Sequence, residues 1–275
     1  PGIVKIATTV EGQEPYTEEL SLAAGENQLE WTVTVPEPRL WWPWALGDQD
    51  RYDVTVEAIA EDGRVSHTVE RTVGLRSLVF DDWQLSVNGE RLFLKGANLA
   101  PTRALLGEAT DDDVRRDVDL AREAGLDLVR VHAHITTPAL YDQADERGML
   151  VWQDLPLQWG YARSVRKQAV RQARKAVEIL GHHPSVAIWC GHNEPLALDE
   201  PTGAMADPAV ARRMGLKALA GMELPTWNKT VLDRSIKRTI EKADGSRPVI
   251  PHSGVWPHLP RLDGTDSHLY FGWYH

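Results

Sequence analysis

The sequence has a single cysteine, Cys190, among its 275 residues. One thiol excludes an intramolecular disulfide and a zinc cage made of cysteines. Long hydrophobic runs are also lacking, since none approaches the ~20 apolar residues that span a membrane, and no signal peptide is recognisable. We therefore expect no membrane partner and favour a cytoplasmic protein, although the chain begins at Pro1 rather than at a methionine.

Basic residues are fewer than acidic ones. Lys and Arg number 30 against 40 Asp and Glu, which gives a formal net charge of −10 at pH 7. Because nucleic-acid binding calls for a basic patch, we expect no nucleic-acid partner. Phe is rare, at 3 residues, whereas Trp numbers 11. Trp offers a flat apolar face and one donor, which suits sugar stacking, although core packing is the safer interpretation of any single Trp.

Residues 1–78 carry an all-β pattern. Apolar and polar residues alternate in stretches of strand length, with turn residues between them, at 4–10, 28–35, 52–58 and 64–73. Strands of this length and spacing predict an immunoglobulin-like β-sandwich. Within this region, the segment 38–44 has too much proline for a central strand. We expect its tryptophans to pack between the sandwich and the next domain.

From residue 79 onwards, predicted strands alternate with predicted helices. The strands lie at 91–98, 128–134, 149–155, 186–190, 248–252 and 266–271, and the helices at 110–125, 138–147, 164–180 and 232–243, with an insertion after the fourth strand. This alternation is typical of parallel βαβ units.

Polar side chains recur where these strands end. They are Asn98, His134, Asp154, Glu194, His252 and His268. Chemistry at many strand ends favours a TIM barrel over a doubly wound sheet, in which one crevice would dominate. We therefore predict a multidomain β plus α/β chain: a β-sandwich at 1–78 and an incomplete TIM (β/α)8 barrel at 79–275. The predicted strands, six or so, are too few to close a barrel, so we expect a piece of a longer protein with further N- and C-terminal domains.

The stretch 185–195 is the most informative one. A buried apolar run that includes Trp189 ends in His192, Asn193 and Glu194, and Pro195 then stops the strand. An isolated Asn-Glu-Pro would be read as a solvated turn. After this strand and a long helix, it instead makes Glu194 the first candidate for a catalytic acid.

Four stretches together resemble glycoside hydrolase family 2, which includes β-galactosidases, β-glucuronidases, β-mannosidases and exo-β-glucosaminidases. Residues 40–43 with 73–76 are similar to its immunoglobulin-like domain, 95–98 to its first barrel strand, 189–195 to its acid/base strand, and 268–274 to the glucuronidase form of its sixth strand. Residues 152–154 and 189–194 look more like the mannosidase branch. The sugar therefore stays open among mannose, galactose and glucuronic acid.

The resemblance implies a retaining exo-β-glycosidase that needs no cofactor. One carboxylic acid protonates the glycosidic oxygen, and a carboxylate roughly 5–5.5 Å away attacks the anomeric carbon. Glu194 matches the acid/base, and we expect a raised pKa from a pocket walled by Trp189 with another carboxylate nearby. The family's nucleophile lies on a seventh strand, beyond the six predicted here, so we expect the isolated chain to be inactive.

Other side chains receive binding roles. Asn193 matches the residue that hydrogen-bonds the sugar 2-hydroxyl, with strand-end capping as the alternative. Asp154 would either bind a sugar hydroxyl or hold Arg130, which we expect to brace the carboxylates from the same strand face as His132 and His134. Tyr270, by resemblance, would hydrogen-bond the nucleophile. The predicted binding set also includes His134, Trp152, Trp189 and His268. Trp152, Trp159 and Trp273 are candidate sugar platforms, and His182 and His183 are expected to be solvated.

Two other functions stay open. A metal-dependent amidohydrolase could use His132 and His134 with later strand-end histidines as zinc ligands, although the family likeness accounts for the same residues. A non-catalytic carbohydrate-binding fragment would need no nucleophile. A homo-oligomer is also open.

Overall fold

A computed structural model describes residues 2–195, 225–254, 266 and 268. Most of the predicted insertion, most of the sixth strand, Tyr270 and Trp273 lie outside the described residues. Within the described part of the chain, no helix is long and apolar enough to cross a membrane.

Twelve strands and four α-helices are described. The N-terminal strands are β1 (Gly2–Val10), β2 (Tyr16–Leu22), β3 (Tyr52–Ile59) and β4 (Val65–Val73), followed by the shorter β5 (Leu78–Asp81), β6 (Gln84–Val87) and β7 (Glu90–Leu92). The parallel strands are β8 (Gly96–Leu99), β9 (Leu128–Val131), β10 (Leu150–Asp154), β11 (Val186–Cys190) and β12 (Val249–Ile250). The helices are α1 (Asp111–Glu123), α2 (Pro138–Arg147), α3 (Arg166–Leu180) and α4 (Asp233–Ala243), the last preceded by a π-helical turn at Trp227–Leu232.

The N-terminal region is an antiparallel sheet in the order β2-β1-β3-β4. The alternation in β1 buries Ile6, Thr8 and Val10 on one face. The strand predicted at 28–35 is wrong, since no strand is assigned there. Its odd-numbered residues are nevertheless half-buried, and the Trp31 indole donates a hydrogen bond of 3.0 Å to Thr8 Oγ1. The segment therefore packs on the sheet without extending its ladder.

The second region is a parallel sheet in the order β12-β11-β10-β9-β8, with helices after β8, β9, β10 and β11 in the sequence. Period-2 alternation divides its side chains between two apolar clusters. Leu128, Leu150, Ile188 and Ile250 lie in the inner cluster. Val129, Val151, Trp189 and Val249 lie in the outer cluster, which includes buried residues of all four helices. Such a sheet, with strand neighbours in chain order and helices on one side, is the wall of an incomplete (β/α) barrel.

Aromatic side chains join the two regions. Trp41 is fully buried in the inner cluster beside Leu85 and Val87, and its indole donates a hydrogen bond of 2.8 Å to the carbonyl of Asp145. The Trp44 indole donates to the carbonyl of Leu126 at 2.9 Å. The expected role of segment 38–44, packing between the two domains, is confirmed.

The histidines before β11 differ from expectation. His183 is buried rather than solvated, because its Nδ1 lies 2.7 Å from the Asp145 carboxylate. Asp145 also accepts a hydrogen bond of 3.0 Å from the backbone N–H of Ser185. The pair therefore fixes the loop that leads into β11. This loop lies at the end of the barrel opposite the carboxyl ends of the strands.

Candidate active site

Backbone strain marks the carboxyl ends of three neighbouring strands. The segments after β9, β10 and β11 each contain a non-glycine residue in the left-handed region: Ala133 at φ 53°, Trp159 at φ 64° and Glu194 at φ 43°. Each such residue costs roughly 1–2 kcal/mol, and this kind of strain persists where surrounding contacts enforce it, often at functional sites.

Arg130 lies at the centre of this end of the barrel. Its guanidinium donates to both carboxylate oxygens of Asp154, from Nε at 3.1 Å and from Nη2 at 2.8 Å. Nη2 also donates to Asn193 Oδ1 at 2.9 Å, and Nη1 lies 3.2 Å from His268 Nε2. We call these four residues the arginine cluster. Arg130 was predicted to brace the carboxylates, and it binds Asp154 directly but reaches Glu194 only through His268.

Asp154 is buried and fully engaged. Besides Arg130, its carboxylate accepts hydrogen bonds from the Trp152 indole at 3.0 Å and from the backbone N–H of Ala133 at 3.1 Å. Together these donors make five hydrogen bonds to the two carboxylate oxygens, which leaves no acceptor position for a sugar hydroxyl. Of its two predicted roles, holding Arg130 is the one that this geometry supports.

The strand end that carries Asn193 and Glu194 is tied to both neighbouring strand ends. The N–H of Asn193 donates to the carbonyl of Leu157 at 2.9 Å, and the N–H of Glu194 donates to the carbonyl of Ser253 at 2.8 Å. These bonds enforce the left-handed conformation of Glu194. Its carboxylate is consequently fixed at the mouth of the barrel with a side chain that is 12% exposed.

His268 joins Glu194 to the arginine cluster. Its Nδ1 lies 2.7 Å from Glu194 Oε1, and its Nε2 lies 3.0 Å from Ser253 Oγ. Because Arg130 can only donate, Nε2 must be the acceptor, so the ring hydrogen is on Nδ1. His268 Nδ1 therefore donates the hydrogen bond to the Glu194 carboxylate.

This contact reverses the expected sign of the Glu194 pKa. Burial raises the pKa, but the hydrogen bond and charge of His268 lower it, with smaller contributions from Trp159 and His132, and the net pKa is below the usual value. The raised pKa predicted from the sequence is therefore wrong.

The prediction that Trp189 walls the pocket is also wrong. Trp189 is fully buried in the outer cluster, and its indole donates to Asp244 at 2.9 Å. The reason is the alternation of β11, which turns Ile188 inwards and Trp189 towards the helices.

Strand β9 ends earlier than predicted, at Val131. His132 and His134 therefore lie in a turn, where His134 Nδ1 donates to the carbonyl of His132 at 2.9 Å. They do not share a strand face with Arg130. Among residues 2–195, 225–254, 266 and 268, no group of three or more His, Cys, Asp or Glu side chains could hold a metal ion.

A cleft of about 350 Å³ opens beside the arginine cluster. Trp152 lines it, with the Arg130 guanidinium 5.1 Å from the Trp152 ring centre. Its remaining walls come from the residue two positions before β8, from β8 itself, from the start of β9 and from two later side chains. These residues are Leu94, Gly96, Ala97, Asn98, Leu128, Asp266 and His268. Trp152 and His268, both predicted as binding residues, line this cleft.

Three residues near Glu194 were not predicted as site residues in these roles. Ser253 positions both Glu194 and His268, His132 influences the pKa of Glu194, and Trp159 lies beside its carboxylate. In the sequence, only their position close to the end of a predicted strand indicated that His132 and Ser253 could lie at the site. Trp159 lies in an irregular segment, and its role there depends on contacts made in three dimensions.

Replacing His268 with phenylalanine should raise the pKa of Glu194, because burial remains while the dominant lowering contact is lost. A general acid works in its protonated form, so the alkaline limb of kcat/KM against pH should move to higher pH. Ser253→Ala removes only the Oγ contact to His268 Nε2 and keeps the bond between His268 Nδ1 and Glu194, so it should move the limb less. An unmoved limb, or one moved to lower pH, would contradict the assignment.

Comparison with known proteins identifies the family of both regions of the chain. Residues 4–76 match Glycosyl hydrolases family 2, and residues 79–275 match the Glycosyl hydrolases family 2 TIM barrel domain. Beta-mannosidase B of Aspergillus clavatus is 29% identical over 220 residues, covering 74% of this chain and 25% of the relative. Beta-mannosidase B of Aspergillus fumigatus is 30% identical over 212 residues, covering 71% and 24%. The chain thus spans about a quarter of the length of these relatives.

Solved structures show the same fold. The β-D-mannosidase of Dictyoglomus thermophilum superposes with a TM-score of 0.77 at 22% identity, covering 99% of this chain and 34% of that protein. The exo-chitosanase of Amycolatopsis orientalis gives a TM-score of 0.72 at 22% identity, covering 96% and 29%. The predicted fold class, an immunoglobulin-like β-sandwich followed by an incomplete TIM barrel, is confirmed. The barrel match alone covers more than half of the sequence, so the chain belongs to glycosyl hydrolases family 2, as its motifs predicted.

Proposed function

We propose that this chain supplies the acid/base side of a retaining exo-β-glycosidase site, with Glu194 as the proton donor and acceptor. The observation that carries the proposal is the position of Glu194. It lies at the carboxyl end of β11, held in a strained conformation by backbone bonds and hydrogen-bonded to His268 at 2.7 Å. Family membership supports the same assignment.

The proton transfer has two steps. Glu194 first protonates the glycosidic oxygen as the bond to the leaving group breaks, and it later removes a proton from the water that releases the sugar. The first step needs the protonated acid. A bound sugar would displace the water that still reaches the carboxylate and would strengthen the effect of burial, which raises the pKa. The pKa of Glu194 should therefore be higher in the substrate complex than without the sugar.

Asn193 is the proposed partner of the sugar 2-hydroxyl. Its Oδ1 is occupied by Arg130 Nη2 at 2.9 Å, which fixes the amide orientation and leaves the NH₂ group as the donor. A donor held in place before the reaction stabilises developing charge without reorganisation. The Trp152 ring, which lines the cleft, is the proposed apolar wall for the sugar.

The nucleophile is proposed to lie outside the described residues. Asp154 is excluded, because Arg130, Trp152 and Ala133 occupy its carboxylate. β-Mannosides are the first substrates to test, because the relatives described above are named β-mannosidases. A non-catalytic carbohydrate-binding role would instead give sugar binding without hydrolysis by the complete polypeptide.

The test is the anomeric form of the first product. The complete polypeptide that carries this sequence is incubated with aryl β-mannoside, β-galactoside and β-glucuronide, and NMR spectra are recorded before the product mutarotates. We expect one sugar to be preferred and the β-anomer to appear first. An initial α-anomer would show inversion, and no hydrolysis of any β-glycoside would favour the binding role.

A further inference from the structure

His192 has no assigned part in the proposed reaction, although it directly precedes Asn193 and Glu194. Its side chain is fully buried, and its Nε2 lies 2.7 Å from the carbonyl oxygen of Trp159. A carbonyl oxygen only accepts, so Nε2 carries the ring hydrogen and donates it. The other nitrogen, Nδ1, is buried and has no hydrogen-bond partner among the described residues.

Trp159 is held on both sides of its backbone by this strand end. Its N–H donates to the carbonyl of Asn193 at 3.1 Å, while its carbonyl accepts from the His192 ring. Between these two bonds Trp159 keeps a φ of 64°, a conformation that a tryptophan rarely adopts. Without the His192 bond, Trp159 would be free to relax towards ordinary backbone angles.

The side chain of Trp159 lies beside the Glu194 carboxylate. It is 46% exposed, unlike most large apolar side chains of the barrel, and it contributes a hydrogen bond that lowers the pKa of Glu194. A leaving group must lie next to the acid that protonates it, so an exposed ring beside Glu194 is placed to contact the leaving group. Its indole can both orient the carboxylate and stack on an incoming sugar or aryl group.

The environment of His192 keeps its ring neutral. Burial lowers its pKa to about 4, the bond to the Trp159 carbonyl acts in the opposite direction, and the nearby His252 lowers it slightly. The ring of Tyr161 packs against it with centres 5.8 Å apart. A neutral ring with its single hydrogen on Nε2 donates to Trp159 at every pH where the protein would work.

We propose that His192 is a positioning residue, which fixes Trp159 against the strand end so that the indole keeps the Glu194 carboxylate aligned for proton transfer and forms the wall of the leaving-group site. This inference rests on the proposed role of Glu194. The competing explanation is that His192 only fills space in the barrel beside Tyr161.

Two substitutions separate these explanations. His192→Phe keeps an aromatic ring but removes the donor, whereas His192→Gln places an amide donor near the position of Nε2. In the complete polypeptide, His192→Phe should lower kcat for substrates with poor leaving groups by about 10- to 100-fold, the size of a loss from misplaced catalytic groups. Activated aryl glycosides should lose much less, since they need little protonation. His192→Gln should recover most of the activity.

Trp159→Phe provides a second route to the same answer, because it removes the indole N–H without touching His192. It should reproduce the leaving-group dependence, and combining it with His192→Phe should add little further loss, since both act through one contact. If His192→Phe does not fold, Trp159→Phe and His192→Gln still distinguish a positioning role of His192 from a space-filling one.

Equal losses on good and poor leaving groups in these variants would overturn the inference, because a merely structural residue changes only the amount of folded enzyme. Glu194→Gln is measured alongside. If that variant shows the leaving-group dependence and the His192 and Trp159 variants do not, only the positioning role fails. If Glu194→Gln shows none, the proposed function itself fails.

Discussion

Replacing Glu194 with glutamine should slow hydrolysis of substrates with poor leaving groups by about 10²- to 10⁴-fold, the usual contribution of general acid catalysis. Glutamine keeps the size of the side chain but cannot give up a proton. Activated aryl β-glycosides leave without protonation, so bond cleavage in these substrates should be far less affected. The measurement is kcat/KM across a series of aryl β-glycosides with leaving groups of increasing pKa, in the complete polypeptide.

The matched control is Glu178→Gln. Glu178 lies on α3, is exposed, and pairs with Arg174 and Lys175 on the helix surface. Loss of surface ion pairs of this kind costs less than about 1 kcal/mol and should not alter catalysis. A uniform loss across the leaving-group series in Glu194→Gln would show that Glu194 is not the proton donor.

Replacing Arg130 with methionine should have the largest effect on stability. Asp154 is fully buried and depends on Arg130 for three of its hydrogen bonds. Removing one partner of a buried ion pair leaves an uncompensated charge and costs about 3–5 kcal/mol. We expect that loss in the free energy of unfolding measured by denaturant titration. Activity should also disappear, because Asn193 and His268 lose the group that orients them.

A double variant separates the two effects. Arg130→Met with Asp154→Asn removes the buried charge, so much of the stability should return, whereas activity should not. Arg147→Met is the matched control, since its pair with Asp119 is 44% and 33% exposed and should be worth less than about 1 kcal/mol. A double variant that recovers both stability and activity would show that the arginine cluster is only structural.

The sequence was informative wherever periodicity decides the structure. Alternating and helical patterns located β9 to β12 to within about three residues, whereas the strand predicted at 91–98 is divided between β7 and β8. Parallel strands place their carboxyl ends at one edge of a sheet. Consequently we expected three separate parts of the chain to meet there, and they do: Arg130, Asp154 and the adjacent pair Asn193 and Glu194. The family resemblance supplied the chemistry that this geometry alone does not specify.

The sequence was less informative wherever the orientation or the pKa of a side chain depends on contacts between distant parts of the chain. Which face of β11 carries Trp189 depends on the register of the strand, and the pKa of Glu194 depends on His268, which is 74 residues away. The segment 28–35 has the right alternation, but a strand also needs a partner ladder. Trp159 lies in an irregular loop, where no periodic pattern indicates its position.

The identity of the proton donor has one direct test: the reaction of Glu194→Ala, in the complete polypeptide, with an activated aryl β-glycoside in the presence of sodium azide. Removing the acid/base leaves the covalent sugar intermediate without a base to activate water and opens space on that face of the sugar. Azide should then restore turnover and yield the β-glycosyl azide, because it enters from the side that Glu194 occupied. Formation of the α-glycosyl azide, or no rescue by azide, would contradict the assignment of Glu194 as the acid/base.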